Sequence, residues 1–270
     1  MTTRLITENS HDVGRLRLRM EAFYRDFSSY TAFTEASRID HSWPLLLPTI
    51  KNCIQTTGSC RILEFGSGKT GFAEFLRIHG VRNQVSLTLH DITPLCESWL
   101  KQEGDQVICG PIVNLSGKYD LIFSTFVLEH MTNPSSGLIH LWDRLAPGGS
   151  MYLICPRYDL PFYLPPSCDH LSRFDRLSLS LQVAKHRAQT IISRKPAFLL
   201  LQDLAMFHLP WKQDRDAVHL VSQIDLKIFF KKIGGQVHTL VPLSNPWHKS
   251  IKDWIVKNHL TLCLRVDRSK

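Results

Sequence analysis

The sequence predicts an α/β fold, a largely parallel sheet joined by crossover helices. Three observations predict it. From Arg61 to Cys155, short apolar runs alternate with amphipathic runs, the rhythm of strand–helix–strand units. A glycine-bearing turn, Gly66-Ser67-Gly68, separates the first apolar run from a helical pattern. Hydrophobic residues make up 43% of the 270 residues and charged residues 21%, enough to pack one large domain and too apolar for a disordered chain.

The elements follow in order. Residues 1–57 read as a mostly helical N-terminal cap with a basic run at Arg15, Arg17 and Arg19. Arg61 to Phe65 reads as the first strand and Thr70 to His79 as a helix ended by Gly80. Val85 to Leu89 is the second strand, Pro94 to Gln102 a helix, Gln106 to Cys109 the third strand and Tyr119 to Thr125 the fourth. Ser135 to Leu145 is a helix stopped at Ala146-Pro147-Gly148-Gly149, because proline cannot continue a helix and glycine accepts positive φ. Ser150 to Cys155 is the fifth strand. The rhythm then breaks. Between Pro156 and Trp211 the pattern offers a proline-rich loop and helices over Leu171–Ser193 and Ala197–Met206, with no strand. It resumes with a helix over Ser222–Ile233, a strand over Gln236–Pro242, a helix over Ser250–Asn258 and a last strand over Leu260–Val266. The expected division is a cap at 1–57, a core at 58–157 and 218–270, and a helical insert at 158–217.

Lys plus Arg is 32 against 24 Asp plus Glu, a net charge of +8. That balance favours anionic partners without choosing among them. Seven cysteines with no C-x-x-C spacing argue against a disulfide framework or a thiolate zinc site and for a reducing compartment. Met1 to Ser10 lacks the apolar core of a secretory signal, and no run has the apolar length of a membrane span. A cytoplasmic protein is expected. The Arg15–Arg19 run has no aromatic interleaving, so it reads as a solvated helix face, and no nucleic acid partner is expected.

Glu64-Phe65-Gly66-Ser67-Gly68-Lys69-Thr70-Gly71 lies where a strand turns into a helix. Three ligand classes use such a turn. A P-loop would need glycine at position 63, where Leu63 stands. A dinucleotide site is matched by Gly66, Gly68 and Gly71 with Asp91 downstream. Glu64 weighs against both, because a carboxylate beside the turn repels a phosphate and attracts a cation. S-adenosylmethionine, with a sulfonium and an ammonium and no phosphate, fits that charge.

The chain here resembles the class I S-adenosylmethionine-dependent methyltransferases over roughly Arg61 to Arg157. Leu63 to Gly68 resembles the family's first motif, and Lys118 to Ser124 its fourth-strand motif. Val127-Leu128-Glu129-His130-Met131 resembles the "LEH" signature of a large small-molecule subgroup, and Leu145 to Gly149 the motif before strand five. The resemblance implies a seven-stranded, mostly parallel Rossmann-like sheet with helices on both faces and the last strand antiparallel. It implies S-adenosyl-L-methionine as cofactor and no metal. Glu64, Gly66, Ser67 and Gly68 would hold the methionine side, and Asp91 with Ile92 the ribose. Ser124, Thr125 and Phe126 would line the methionine end. Many members carry an acid after strand three to meet adenine. Pro111 stands near that place, leaving the contact to backbone groups or Asn114.

His130, after strand four on the ligand side of the sheet, is the candidate base for an acceptor proton, with Glu129 orienting it. Asp169-His170 is a weaker candidate dyad, and Tyr158 and Tyr163 are candidate pocket residues. The insert carries Arg173, Arg176, Lys185, Arg187, Arg194 and Lys195 beside Phe198 to Leu201, Met206, Phe207 and Trp211. It reads as a helical lid over the acceptor. The expected activity is methyl transfer to oxygen or nitrogen of a small molecule or glycoconjugate, with an anionic acceptor compatible with the charge. The alternatives are a catalytically silent partner with this fold and, less favoured, an NAD(P)-dependent oxidoreductase. No Tyr-x-x-x-Lys dyad supports the latter: Phe162 and Ser167 stand four residues after Tyr158 and Tyr163.

Overall fold

The computed structural model describes residues 3–26, 40–160, 162–202, 214–240 and 261–269. The chain opens with β1 (Arg4–Thr7) and α1 (Val13–Asp26), and α2 (Leu47–Thr57) leads into the core. There β2 (Cys60–Phe65), α3 (Phe72–Ile78), β3 (Val85–Asp91), α4 (Glu97–Glu103), β4 (Gln106–Cys109) and β5 (Tyr119–Thr125) alternate. They are followed by α5 (Pro134–Arg144) and β6 (Leu145–Pro156). The insert holds α6 (Arg173–Ser193) and β7 (Leu199–Gln202), and the chain returns through α7 (Gln223–Lys232), β8 (Gly235–Thr239) and β9 (Thr261–Arg268).

Seven strands form one sheet in the order β4-β3-β2-β5-β6-β9-β8. β2 pairs in parallel with β3 and β5, β3 with β4, and β5 with β6. β9 runs antiparallel to both β6 and β8. The sheet is the expected Rossmann-like one, with its last strand antiparallel. Alternation along the strands feeds two separate cores, because successive side chains leave opposite faces. Leu121, Phe123, Tyr152 and Ile154 pack with Trp43, Ile50, Phe72 and Leu76 on one face. Ile122, Met151, Leu153 and Cys155 pack with Leu16, Leu138, Leu179 and Phe230 on the other.

Helix starts follow local chemistry. The Asn133 side chain accepts from the Ser136 N–H at the start of α5, with Pro134 in the first turn. Ser172 and Ser222 cap α6 and α7 through the N–H groups of Asp175 and Asp225, and each acid completes its first turn. One helix boundary shifts: β6 begins at Leu145, and its pairing with β5 changes register between Tyr119 and Leu121, absorbing the Pro147-Gly148-Gly149 turn into the strand.

Two expectations need correction. Ala197 to Met206 was expected as helix, but Leu199–Gln202 is a strand, and the cap is not wholly helical because β1 pairs antiparallel with it. Leu199, Leu200 and Leu201 are all fully buried, so no helical periodicity marked them. Their partner lies about two hundred residues earlier, which no local pattern can display. Residues 203–206 of that expected helix, the helix over Ser250–Asn258 and the residues Met206, Phe207 and Trp211 lie outside the described residues, as do Val241 and Pro242 of the expected strand.

Candidate functional site

The carboxyl ends of β2, β3, β4 and β5 converge on the glycine turn, where open parallel sheets bind ligands. The turn is closed from below by β3: the N–H groups of Gly66 and Ser67 both donate to the His90 carbonyl at 2.8 Å. Gly66 and Gly68 have φ of 74° and 51°, the left-handed region that glycine reaches cheaply. Their surroundings differ. A Cβ on Gly66 would lie 2.3 Å from Val127 Cγ2, whereas one on Gly68 would meet nothing within 4 Å. The turn is thus packed at its first glycine and open at its second.

Asp91 reaches across the open glycine. Its Oδ2 accepts from the Gly68 N–H at 2.8 Å and its Oδ1 from the Thr93 N–H at 3.0 Å. Burial raises its pKa, against the pull of those donors. Glu64, the last but one residue of β2, is 3% exposed, and its Oε2 has no hydrogen-bond partner. Burial pushes Glu64 well above the usual carboxylate range, with the Thr70 hydroxyl drawing it partly back. Two buried acids at a glycine turn suit a cationic ligand and oppose a diphosphate. These features fit S-adenosylmethionine: an unpartnered carboxylate oxygen for a cation, an oriented Asp91 and an open backbone at Gly68.

The other expected cofactor residues rim the same end of the sheet. Ile92 is 53% exposed, next to Asp91. Asn114 is exposed and lies against Gly110, in the turn after β4. Ser124 is buried at the end of β5, and Thr125 Oγ1 accepts from Trp43 Nε1 at 3.4 Å. Phe126 has φ 56°, uncommon for a residue with a side chain, and its N–H is held by the Ile154 carbonyl at 2.8 Å. Such a conformation costs about 1–3 kcal/mol and concentrates at functional sites.

Beyond Phe126 the chain forms a 3₁₀ turn, Leu128–His130. Glu129 is fully buried, both carboxylate oxygens lack partners, and burial raises its pKa to about 7 despite neighbouring His130. His130 Nδ1 lies 3.3 Å from Asp216 Oδ2, and its side chain is 18% exposed. Burial lowers the His130 pKa, but the charges of Asp216 and Glu129 outweigh it and hold the imidazole above its ordinary value. Tyr24, from α1, donates to Asp216 Oδ2 at 2.7 Å. The Glu129 carbonyl accepts from the Val218 and His219 N–H groups at 2.8 Å. A cap helix, the loop after β5 and the end of the insert therefore meet around His130. Among the described residues, Glu129, His130 and Asp214 offer donor atoms within 4.8 Å of one another. Cys53, Cys60 and Asp120 form a second such group, but Asp120 is already bound to Arg61 at 2.7 and 3.0 Å.

Asp169 and His170 do not face each other: Asp169 lies 3.8 Å from Arg176, and His170 Nδ1 donates to the Ser167 carbonyl at 3.0 Å. Tyr158 is buried and stacks on Tyr163 at 5.4 Å. A shallow cleft of about 240 Å³ between Lys69 and α4 is lined by Leu95, Cys96 and Trp99, and by none of Glu64, Asp91 or His130. The sequence reading missed Asp216, Tyr24 and Trp43, whose partners lie 86, 192 and 82 positions away. It also missed that His90 ties the turn after β4 through its Nε2, which donates to the Gly110 carbonyl at 3.0 Å.

A family model described as a methyltransferase domain matches residues 16–238. No curated protein matches the chain significantly. Among solved structures, the chain is similar to the plantazolicin methyltransferase BpumL in complex with a triazolic desmethylPZN analog and SAH. The TM-score is 0.54 at 12% identity, over 96% of this chain and 99% of that one. It is also similar to an S-adenosylmethionine-dependent methyltransferase from Mesorhizobium loti, with a TM-score of 0.52 at 13% identity over 87% and 100%. The magnesium protoporphyrin IX methyltransferase from Synechocystis PCC 6803 with bound SAH gives a TM-score of 0.50 at 12% identity over 94% and 100%. At these identities the likeness establishes the fold.

Proposed function

Since the chain belongs to the methyltransferase-domain family and is an S-adenosylmethionine-dependent methyltransferase, we propose that it methylates oxygen or nitrogen on a small molecule or glycoconjugate, as the "LEH" subgroup it resembles does. The observation that carries this reading is the pair of buried acids at the glycine turn, with one Glu64 oxygen unpartnered. When bound, S-adenosylmethionine supplies a methyl group already activated by a sulfonium, so the protein's task is alignment, desolvation and proton handling. In this reading Glu64, Gly66, Ser67 and Gly68 meet the methionine portion and Asp91 with Ile92 the ribose. Asn114 stands near the adenine, and Ser124, Thr125 and Phe126 border the transfer path.

His130 takes the acceptor's proton. Asp216 holds Nδ1, which leaves Nε2 as the nitrogen to meet the acceptor. Glu129 beneath it stabilises the charged imidazole. The groups around His130 are acidic, which supports an acceptor neutral or cationic at the reacting atom, with any anionic part held elsewhere. The segment 158–217 serves as the acceptor lid: its far end delivers Asp216, and the cap delivers Tyr24. Seven free cysteines support a cytoplasmic setting, and among the described residues no helix is long and apolar enough to cross a membrane.

Calorimetric titration of the full chain with S-adenosylmethionine and with NADH tests the reading. Micromolar or tighter binding of the first alone is expected, and tight NADH binding overturns it. Methyl transfer from labelled donor to a panel of hydroxyl and amine acceptors then separates an enzyme from a silent partner with this fold.

A further inference from the structure

Helix α6 is polar in part where it is buried and apolar in part where it meets solvent. Its inward face buries Ser180, Arg187 and Thr190 beside Leu179 and Val183. The Arg187 guanidinium pairs with Asp225 and donates to the Leu220 carbonyl at 2.6 Å. Its outward face carries Phe174 at 84% exposure, Leu177 at 45%, Leu181 at 57%, Ile191 at 57% and Ile192 at 83%. At 3.6 residues per turn, Phe174, Leu181 and Ile192 fall within roughly 20° of one another, with Leu177 and Ile191 along one edge. The stripe runs about 27 Å along the helix. A solvated surface helix points its apolar side chains inward and its charges out. α6 departs from this by burying Arg187 and exposing five large apolar side chains, and an exposed apolar stripe of this size calls for an apolar partner.

Charge identifies the partner. Arg173, Lys185, Arg194 and Lys195 are exposed along the stripe and at its C-terminal end. The one acid of the helix, Asp175, is engaged by the Ser172 hydroxyl at 2.7 Å in the N-terminal cap. A second copy of α6 would set this basic series against itself in either orientation, so self-pairing is electrostatically opposed. A surface that offers both apolar depth and negative charge over about 27 Å is the interface of an anionic bilayer. The basic side chains are long enough to keep their charges at headgroup level while the apolar stems sink.

We propose that α6 is an interfacial helix that seats the protein on an anionic lipid membrane. The helix is fixed for this task. The buried Arg187–Asp225 pair locks it to α7, and Leu220, which also receives Arg187, lies next to His219, whose N–H binds Glu129. The docking surface and the candidate acceptor site therefore share one rigid frame. The proposal does not depend on the identity of the acceptor, and it stands or falls separately from the methyl-transfer reading.

Co-sedimentation of the full chain with sucrose-loaded vesicles tests it, comparing pure phosphatidylcholine with phosphatidylcholine containing phosphatidylglycerol. Binding to the anionic vesicles is expected, at least tenfold tighter than to neutral ones and weakened several-fold when salt rises from 0.1 to 0.5 M. The double variant Phe174→Ser, Ile192→Ser should lose at least tenfold in vesicle affinity. It should keep its melting temperature and its S-adenosylhomocysteine affinity, because both side chains project into solvent. No sedimentation with either vesicle, equal binding to both, or unchanged binding by the variant overturns the proposal. A dimer seen by light scattering and dispersed by the same variant, without vesicle binding, assigns the stripe to a second copy and overturns it as well.

Discussion

The two sides of the site are built from different kinds of contact. On the cofactor side, Asp91 binds Gly68 across 23 positions and Thr93 across two, and His90 reaches Gly110 across 20. Each contact joins a strand end to the next strand or turn. On the candidate acceptor side, His130 meets Asp216 across 86 positions and Tyr24 meets Asp216 across 192. Apart from the Trp43–Thr125 contact across 82 positions, the first side is a local consequence of β-α-β order. The second exists only once cap, core and insert have come together. In the proposed reading, cofactor recognition belongs to the sheet, while acceptor chemistry belongs to the additions on it.

The largest test of that division is His130→Ala. If the two sides are separable, turnover falls by about 10² to 10⁴-fold, the usual contribution of a positioned base. The affinity for S-adenosylhomocysteine should stay within about threefold. The kcat/KM profile of the parent protein should rise with pH through a point displaced upward from the ordinary imidazole range, because Asp216 and Glu129 hold His130 above its ordinary value. Asp216→Asn should move that rise to lower pH while lowering kcat. Steady-state kinetics over pH with parallel calorimetry measures both. A matched loss of cofactor affinity in His130→Ala breaks the division.

The next effect is on stability, and it sets the two sides against each other through buried imidazoles. Burial drives His90, on the cofactor side, down to about 4 and His219, on the acceptor side, down to about 3. Each stays neutral in the folded chain while the unfolded chain takes up a proton near pH 6.5. Between pH 6.5 and the folded value the unfolded state holds more protons, so stability falls as pH falls and is unaffected above that window. For His90 the loss reaches roughly 3 kcal/mol by pH 4, at about 1.4 kcal/mol per unit. His90→Gln keeps a donor for the Gly110 carbonyl and should flatten that slope in urea titrations across the window. An unchanged slope assigns the acid sensitivity to the acceptor side.

How much of this was legible in the sequence follows the same line. The five strands from Cys60 to Pro156 announce themselves because each is a short apolar run bounded by Gly, Pro or Asp, and Gln106–Cys109 and Tyr119–Thr125 agree to the residue. Glycine, Glu64 and Asp91 are legible because their spacing fixes one turn. β7 was not, since three buried leucines carry no period and their partner is Arg4–Thr7. Asp216 was not, because nothing beside it in sequence distinguishes it from a surface acid. The outward stripe of α6 was also hidden. Its residues fall in the expected helix over Leu171–Ser193, but only packing shows that Arg187 and Thr190 point inward and Phe174 and Ile192 outward.

The smallest effect sharpens the cofactor side alone. Asp91 already accepts from two N–H groups, so it could serve the turn, the ribose or both. Asp91→Ala removes every role and should weaken S-adenosylhomocysteine binding by at least tenfold, about 1.4 kcal/mol. Asp91→Asn divides the roles: one amide oxygen can still accept from Gly68 or Thr93, but the second carboxylate oxygen becomes a donor. A ribose bound through two hydroxyl donors loses one acceptor in that variant, so its affinity should fall nearly as far as in Asp91→Ala while the melting temperature stays closer to the parent. If Asp91→Asn instead binds like the parent, Asp91 only holds the turn, and the ribose is recognised by backbone around Ile92.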